Sequence, residues 1–282
     1  MTYRSMLVLL DDDPLRAKRV QAAIELARSF EAHLTGLAPT GLVELPGTLA
    51  VAAQAASAEF SRVARLALAE QAQASAKAFD DACVAAKFSS CRSVVVETAA
   101  ADGLLGQSHG HDLIVLSQPN PESPNYAAQL EVVERLVLFS ARPTLLLPYA
   151  GTFNAPYQNV LVAWDGSRES DRAIADALPF LRKARRTDVI AWQEKGLMAN
   201  ATPTTELDSV RAWLARHGVT AEVRSEEPSA PIADAILSRT ADLDTDLLVM
   251  GGYGHTRWTE RLMGGATRGI LATMTVPVLM SR

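Results

Sequence analysis

The chain has little cysteine, few aromatic residues, no long hydrophobic run and no excess of positive charge. Its 282 residues contain two cysteines, Cys83 and Cys91. A disulfide framework needs several at close spacing, so both are expected as free thiols in a reducing cytoplasm. No stretch approaches the roughly 20 apolar residues of a membrane helix. The longest Ala-rich region is broken by Glu59, Arg62, Arg65 and Glu70. The opening "MTYRSMLVLLDDD" has too short an apolar run for a signal peptide, and acids follow it at once. A cytoplasmic protein without a membrane partner is the expectation. The formal net charge of −5 argues against nucleic acid as a partner, while backbone N–H groups can still hold a local anion. The Gly-x4-Gly-Lys-Ser/Thr loop of P-loop enzymes is missing. What is present, 48% hydrophobic and 21% charged residues, is the balance of a soluble globular chain long enough for two domains.

The chain repeats itself. "MLVLLDDDP" from Met6 superimposes on "VLVAWDGSR" from Val160, placing Asp11 on Asp165 at an offset of 154 residues. "HDLIVLSQPN" from His111 matches "TDLLVMGGYG" from Thr245, and "RPTLLLP" from Arg142 matches "VPVLMSR" from Val276, both at an offset of 134. The first copy is therefore 20 residues longer in its middle, where an Ala-rich helix is expected across residues 50–87, with Val63, Leu66, Ala67 and Glu70 marking its turns. Each copy alternates strands and helices, and "LIVLS" and "LLVMG" are continuous apolar runs, as in parallel strands covered on both faces. The expected fold is α/β: two tandem doubly wound domains, each a five-stranded parallel sheet with helices on both faces, paired as an internal pseudo-dimer. Domain limits are read as 1–149 and 159–282, with "PYAGTFNAPYQN" supplying the linker at 150–158. The seam of the pseudo-dimer is expected at "RPTLLLP" and "VPVLM", each of which would otherwise be an unpaired apolar edge. Pro179 predicts a kink in the first helix of the second copy.

In open α/β sheets ligands bind beyond the carboxyl ends of strands, where strand order reverses. Two strand ends of the second copy stand out. One closes at Asp165 and leads through Ser167, a candidate N-cap, into a helix. The other closes at Met250 and opens into "GGYGHTRWTERLMGGATRGI". If the two strands are neighbours, Asp165 and these glycines line one crevice. Gly251 and Gly254 are read as permitting positive φ and close approach to a ligand. Gly264 and Gly265 stand where the last helix begins, whose unsatisfied N–H donors favour phosphate. Tight packing alone accounts for the glycines equally well.

The segment "GGYGHTRWTERLMGGATRG" resembles the Gly-x2-Gly-x9-Gly-Ser/Thr nucleotide loop of the universal stress protein family. Gly251, Gly254 and Gly264 fall on its glycine positions, and "VLVAWDGSRES" is similar to that family's first strand with its terminal Asp. The resemblance covers nearly all of both copies. It implies a cytoplasmic stress-response protein that binds an adenine nucleotide, ATP foremost, in the second copy. Asp165 would hold the ribose or help place Mg²⁺, and no other metal ligand is expected. Ala163, His255, Arg257 and Thr267 join the site as further nucleotide contacts. The family's Ser/Thr position is Gly265 here, and Thr267 is the nearest substitute hydroxyl. No general base lies beside the loop, so no catalytic residue is assigned. Nucleotide-dependent regulation is expected rather than fast turnover, with a slow ATPase and a nucleotide-free interaction scaffold as the alternatives. A further homodimer and unidentified protein partners are compatible with either.

The first copy departs from the pattern. Ser117, Asn120 and Leu130 replace the three glycines, prolines interrupt the loop, and Glu131 stands at the position of Gly265. This half is read as degenerate. "GQSHG", from Gly106 to Gly110, mimics a nucleophile elbow but precedes its strand instead of following it, and so reads as a helix C-terminus. His109, His111 and Asp112 are read as solvated loop residues rather than metal ligands.

Overall fold

The computed structural model describes residues 2–41, 58–150, 155–192, 204–253 and 265–282. The first copy supplies β1 (Ser5–Leu9), α1 (Arg16–Phe30), β2 (His33–Pro39), α2 (Ala58–Ala85), β3 (Cys91–Val96), α3 (Ala100–Ser108), β4 (Leu113–Ser117), α4 (Tyr126–Phe139) and β5 (Thr144–Leu147). The second supplies β6 (Asn159–Ala163), α5 (Arg168–Leu181), β7 (Arg186–Trp192), α6 (Thr204–Arg216), β8 (Glu222–Glu226), α7 (Ile232–Asp242), β9 (Leu247–Gly251), α8 (Gly265–Thr273) and β10 (Val278–Ser281).

The strands form because their apolar runs are buried on both faces. Met6, Leu7 and Val8 of β1 and Leu247, Leu248 and Val249 of β9 are fully buried, each run continuous rather than alternating. The helices show one apolar stripe each. In α5, Ala173, Ile174, Ala177, Leu178 and Leu181 are buried, and the helix continues through Pro179 to Leu181. Ser167 caps it as expected, accepting the Ser170 N–H.

By internal contacts the chain divides into two compact units, Arg4–Val115 and Leu116–Arg282 with the first three residues. In Arg4–Val115 the strands run parallel in the order β3-β2-β1-β4, with Met6 opposite Leu113 and Ser5 opposite His33. Here α2 bears out the Ala-rich helix over its described residues, but its buried stripe is Ala72, Ser75, Ala76, Phe79 and Cys83. Val63 and Leu66 remain 52% and 51% exposed, because the first turns of α2 extend beyond the part that packs. Residues 50–57 lie outside the described ones.

The second unit carries β10-β9-β6-β7-β8, all parallel, with β5 added antiparallel to β10. Val278 opposes Leu146 and Met280 opposes Thr144, which is the expected seam between the copies. That pairing, together with α4 packing against the end of β9, explains why the contact boundary precedes the linker. The fold is thus doubly wound in each copy, and the copies pair edge to edge through their last strands.

Candidate nucleotide site

The strand order answers the conditional raised by the sequence. Strands β6 and β9 are hydrogen-bonded neighbours, with Val160 opposite Leu247 and Ala163 opposite Met250. Strand β7 lies on the other side of β6, and β10 on the other side of β9. The chain order reverses between β6 and β9, the place where open α/β sheets bind ligands at the carboxyl ends of their strands. Ala163, the last residue of β6, is half-buried there.

Beyond Ala163 the chain turns sharply. Gly166 takes φ +73°, a conformation that side chains resist, and lets the backbone swing into α5. The exposed Asp165 bends back over this turn. Its Oδ1 accepts the Ser167 N–H at 3.0 Å and the Ser167 hydroxyl at 2.5 Å. Ser167 in turn accepts the Ser170 N–H at 3.1 Å. The carboxylate is therefore held at the mouth of the crevice by the same serine that starts the helix. Trp164 lies beneath, 5% exposed, with its indole N–H donating to Asp171 Oδ1 at 2.8 Å.

At the end of β9 the glycines act differently from the sequence expectation. Gly251 does not adopt positive φ; among the described residues of this turn only Tyr253 does, at 53°. A Cβ on Gly251 would lie 2.8 Å from both the carbonyl carbon of Glu169 and the nitrogen of Ser170. The glycine exists because the first turn of α5 rests directly on the end of β9. A Cβ on Gly252 would meet Val137 of α4 at 2.2 Å. Gly252 N–H bonds Ser281 O at 2.8 Å, extending the ladder one residue past β9.

Tyr253 fixes the start of the loop. Its backbone N–H donates to Thr267 Oγ1 at 3.2 Å, and its hydroxyl donates to Glu134 Oε1 at 3.1 Å. Burial, reinforced by the Glu134 carboxylate, pushes the Tyr253 phenol above its usual range. Thr267 is 3% exposed, and because its Oγ1 accepts the Tyr253 N–H its hydroxyl proton is not used in that bond. Gly265 opens α8 and is exposed, and among the described residues no atom outside its chain neighbours and its own helix backbone lies within 4 Å of where its Cβ would be. Arg268, in the first turn of α8, was missed in the sequence. It is 3.5 Å from Glu134, a carboxylate whose sequence position gives no hint of the pairing. Gly254, His255, Arg257 and Gly264 lie outside the described residues.

The corresponding strand end of the first copy is occupied. Arg19, 1% exposed, donates from Nε to Leu9 O at 3.0 Å and from a terminal nitrogen to Asp11 Oδ1 at 2.5 Å. Arg16 bonds Asp11 O at 3.0 Å and Ser75 Oγ of α2 at 2.6 Å. By the repeat, Arg19 corresponds to Ala173, which is fully buried and apolar. Glu131 requires a correction. Helix α4 begins at Tyr126, so Glu131 is an exposed residue of the second turn and not a carboxylate at the helix start. In the loop before α4, Gln129 Oε1 accepts the Asn120 N–H at 3.0 Å, and Asn120 Oδ1 accepts the Glu122 N–H at 3.1 Å.

The decoys resolve into packing. Ser108 is buried in the last turn of α3 and donates to Leu105 O at 2.7 Å. His109 is exposed, but His111 is buried, correcting the solvated reading; its Nδ1–H donates to Gln107 O at 2.7 Å. Burial lowers its pKa below the usual 6.5. Among the described residues no cluster of His, Cys, Asp or Glu could hold a metal ion, and no helix is long and apolar enough to cross a membrane. Cys83 is buried, its thiol pushed up to about 12 by burial and by Cys91 beside it.

A family model described as the universal stress protein family matches residues 156–282. A universal stress protein from Archaeoglobus fulgidus is 17% identical, with 98% of each chain covered and a TM-score of 0.62. A functionally unknown protein from Pseudomonas aeruginosa is 19% identical, covering 99% of this chain and 92% of its own, at a TM-score of 0.55. A shorter universal stress protein solved in complex with cAMP is 24% identical over 45% of this chain and 97% of its own, at a TM-score of 0.36. Comparison with curated proteins returns no match. The C-terminal copy thus belongs to the universal stress protein family, and the full chain has that family's fold in its tandem form.

Proposed function

We propose that the second copy binds an adenine nucleotide, ATP foremost, and that the protein is a cytoplasmic nucleotide-dependent regulator rather than a fast enzyme. The observation that carries this reading is the adjacency of β6 and β9 at the point where strand order reverses. That adjacency brings Ala163, Asp165 and Gly251 to one edge of the sheet. The N-terminus of α8 offers N–H donors at Gly265, a residue that itself carries no side chain. In this reading Asp165 takes the ribose hydroxyls or a Mg²⁺ ion, and the phosphates meet the start of α8. Gly254, Gly264, His255 and Arg257 complete the phosphate loop, with Arg268 reaching it from the first turn of the helix.

One observation favours a nucleotide-free scaffold instead. Gly251 is explained by helix packing. Denaturing the purified protein and identifying released nucleotide by mass spectrometry separates the two. Near-stoichiometric ATP, ADP or AMP supports the binding reading. An empty protein that also gives no calorimetric signal with added ATP and Mg²⁺ rejects it. Phosphate release that persists in purified protein and falls in an Asp165→Asn variant would point to the slow ATPase.

A further inference from the structure

Glu134 and Val137 stand one turn apart on α4 of the first copy and meet the chain just past β9. A Cβ on Gly252 would meet Val137 at 2.2 Å, and the Tyr253 hydroxyl donates to Glu134 Oε1 at 3.1 Å. Tyr253 takes φ +53°, a left-handed conformation that a non-glycine residue keeps only when its surroundings hold it there. Two bonds do so. The phenol is anchored to Glu134, and the backbone N–H is anchored to Thr267 Oγ1 at 3.2 Å, in the first turn of α8. Tyr253 therefore ties together α4, the end of β9 and the start of α8.

The two partners of Glu134 differ in strength. Phenol to carboxylate is a charge-assisted bond between partly buried groups. Arg268 reaches the same oxygen at 3.5 Å with its side chain 60% exposed, where an ion pair contributes little. The tyrosine is the main partner.

The repeat shows that this support runs in one direction only. At the offset of 134 that relates β4 to β9, Tyr253 corresponds to Pro119, Thr267 to Val133 and Arg268 to Glu134 itself. Neither hydroxyl has a counterpart in the first copy. The packing does have one: Gln118, the equivalent of Gly252, donates to Leu271 O at 2.9 Å, and Leu271 is the equivalent of Val137. Each last helix thus packs on the other copy's strand end, but only α4 also anchors a tyrosine.

We propose that Glu134, a residue of the first copy, is a positioning residue for the nucleotide site of the second. By holding Tyr253 it sets where the first turn of α8 stands against the end of β9. The inference rests on the nucleotide reading above, in which phosphate meets that turn and the ribose meets Asp165. It gives the first copy a task that needs no ligand of its own.

Calorimetric titration of the full chain with ATP and Mg²⁺, and separately with adenosine, tests this. Tyr253→Phe removes the donor and leaves the carboxylate, whereas Glu134→Ala removes the acceptor. Each should weaken ATP by about tenfold, while adenosine, which has no phosphate, changes by less than about twofold. The double variant should be no weaker than either single one, because both break the same bond. Glu134→Gln keeps an amide oxygen for the phenol and should recover most of the affinity lost in Glu134→Ala. Thermal melts without ligand check folding, and Tyr253→Phe, which removes a single heavy atom, keeps the test decisive should Glu134→Ala not fold. Wild-type ATP affinity in Tyr253→Phe, additive losses in the double variant, or equal losses of adenosine and ATP would each overturn the proposal. Tighter ATP binding in Glu134→Ala would overturn it too, since the carboxylate would then only repel phosphate. A wild-type protein that binds neither ATP nor adenosine rejects the nucleotide reading and this inference with it. One that binds ATP no better than its variants do rejects the inference alone.

Discussion

Replacing Gly265 by serine should tighten nucleotide binding without disturbing the fold. Among the described residues, a Cβ at this position meets no atom within 4 Å outside its chain neighbours and its own helix backbone, so none of them excludes a side chain at the first residue of α8. Serine is also a better helix former than glycine by about half a kcal/mol, so the melting temperature should hold or rise slightly. The new hydroxyl would stand among the unsatisfied N–H groups of the helix start, within reach of a phosphate bound there. A hydrogen bond to a charged group contributes about 1.5–3 kcal/mol, which converts to roughly 10- to 150-fold in affinity. Calorimetric titration with ATP measures this directly. Adenosine supplies the internal control, since it has no phosphate for the hydroxyl to meet and should bind both proteins alike. A Gly265→Ser variant with a normal melt and unchanged ATP affinity would refute the placement of phosphate at α8. Equal tightening of adenosine would refute it as well, because the gain would then have another origin.

Gly251→Ala should destabilise the second copy by about 1–3 kcal/mol, because its methyl overlaps the α5 backbone at 2.8 Å; an unchanged urea midpoint would contradict that packing. Arg19→Ala should cost roughly 2–4 kcal/mol in urea unfolding, below the fully buried case because Asp11 keeps 27% of its side chain exposed; no loss would mean the buried pair is dispensable. His111 is favoured neutral in the fold, its pKa lowered chiefly by burial, with Arg92 and His33 acting in the same direction and Gln107 and Asp112 opposing. Its contribution is therefore complete above pH 6.5 and declines as pH falls through the lowered folded value, so the stability lost between pH 7.5 and 5.5 should shrink in His111→Asn. Amides of residues 145–146 and 278–279 should exchange slowly, and rapid exchange in both strands would dissolve the proposed seam.

The fold was legible because both copies spell it in the same order. Continuous apolar runs at "LIVLS" and "LLVMG" marked strands buried on both faces, and the twin offsets marked a duplication. The structure shows the repeat extending to single hydrogen bonds. Asp112 accepts the N–H groups of Arg4 and Ser5, and Asp246 accepts those of Gln158 and Asn159. These pairs stand in the same relation within each copy, so the Asp before β4 and β9 is a clasp on the first strand. In the sequence Asp112 looked like one member of a solvent-facing His/Asp group. Its partners are backbone atoms about a hundred residues away, which no spacing rule encodes.

The glycine loop was less legible, for a physical reason. A glycine signals that a Cβ is excluded, but the sequence does not say what excludes it. At Gly251 the excluding group is the backbone of α5, at Gly252 it is a valine of the first copy, and at Gly265 no described residue excludes one. The same distinction separates the two copies. Asp11 and Asp165 occupy matching strand ends, yet a buried arginine pairs with Asp11, whereas the residue equivalent to that arginine is Ala173 and Asp165 accepts the N–H and hydroxyl of Ser167. The asymmetry of the two halves therefore rests on one substitution in the first helix as much as on the prolines of the loop. Arg19 lies on the buried face of α1 between Leu26 and Phe30, where the helical pattern alone gives no reason to look for charge.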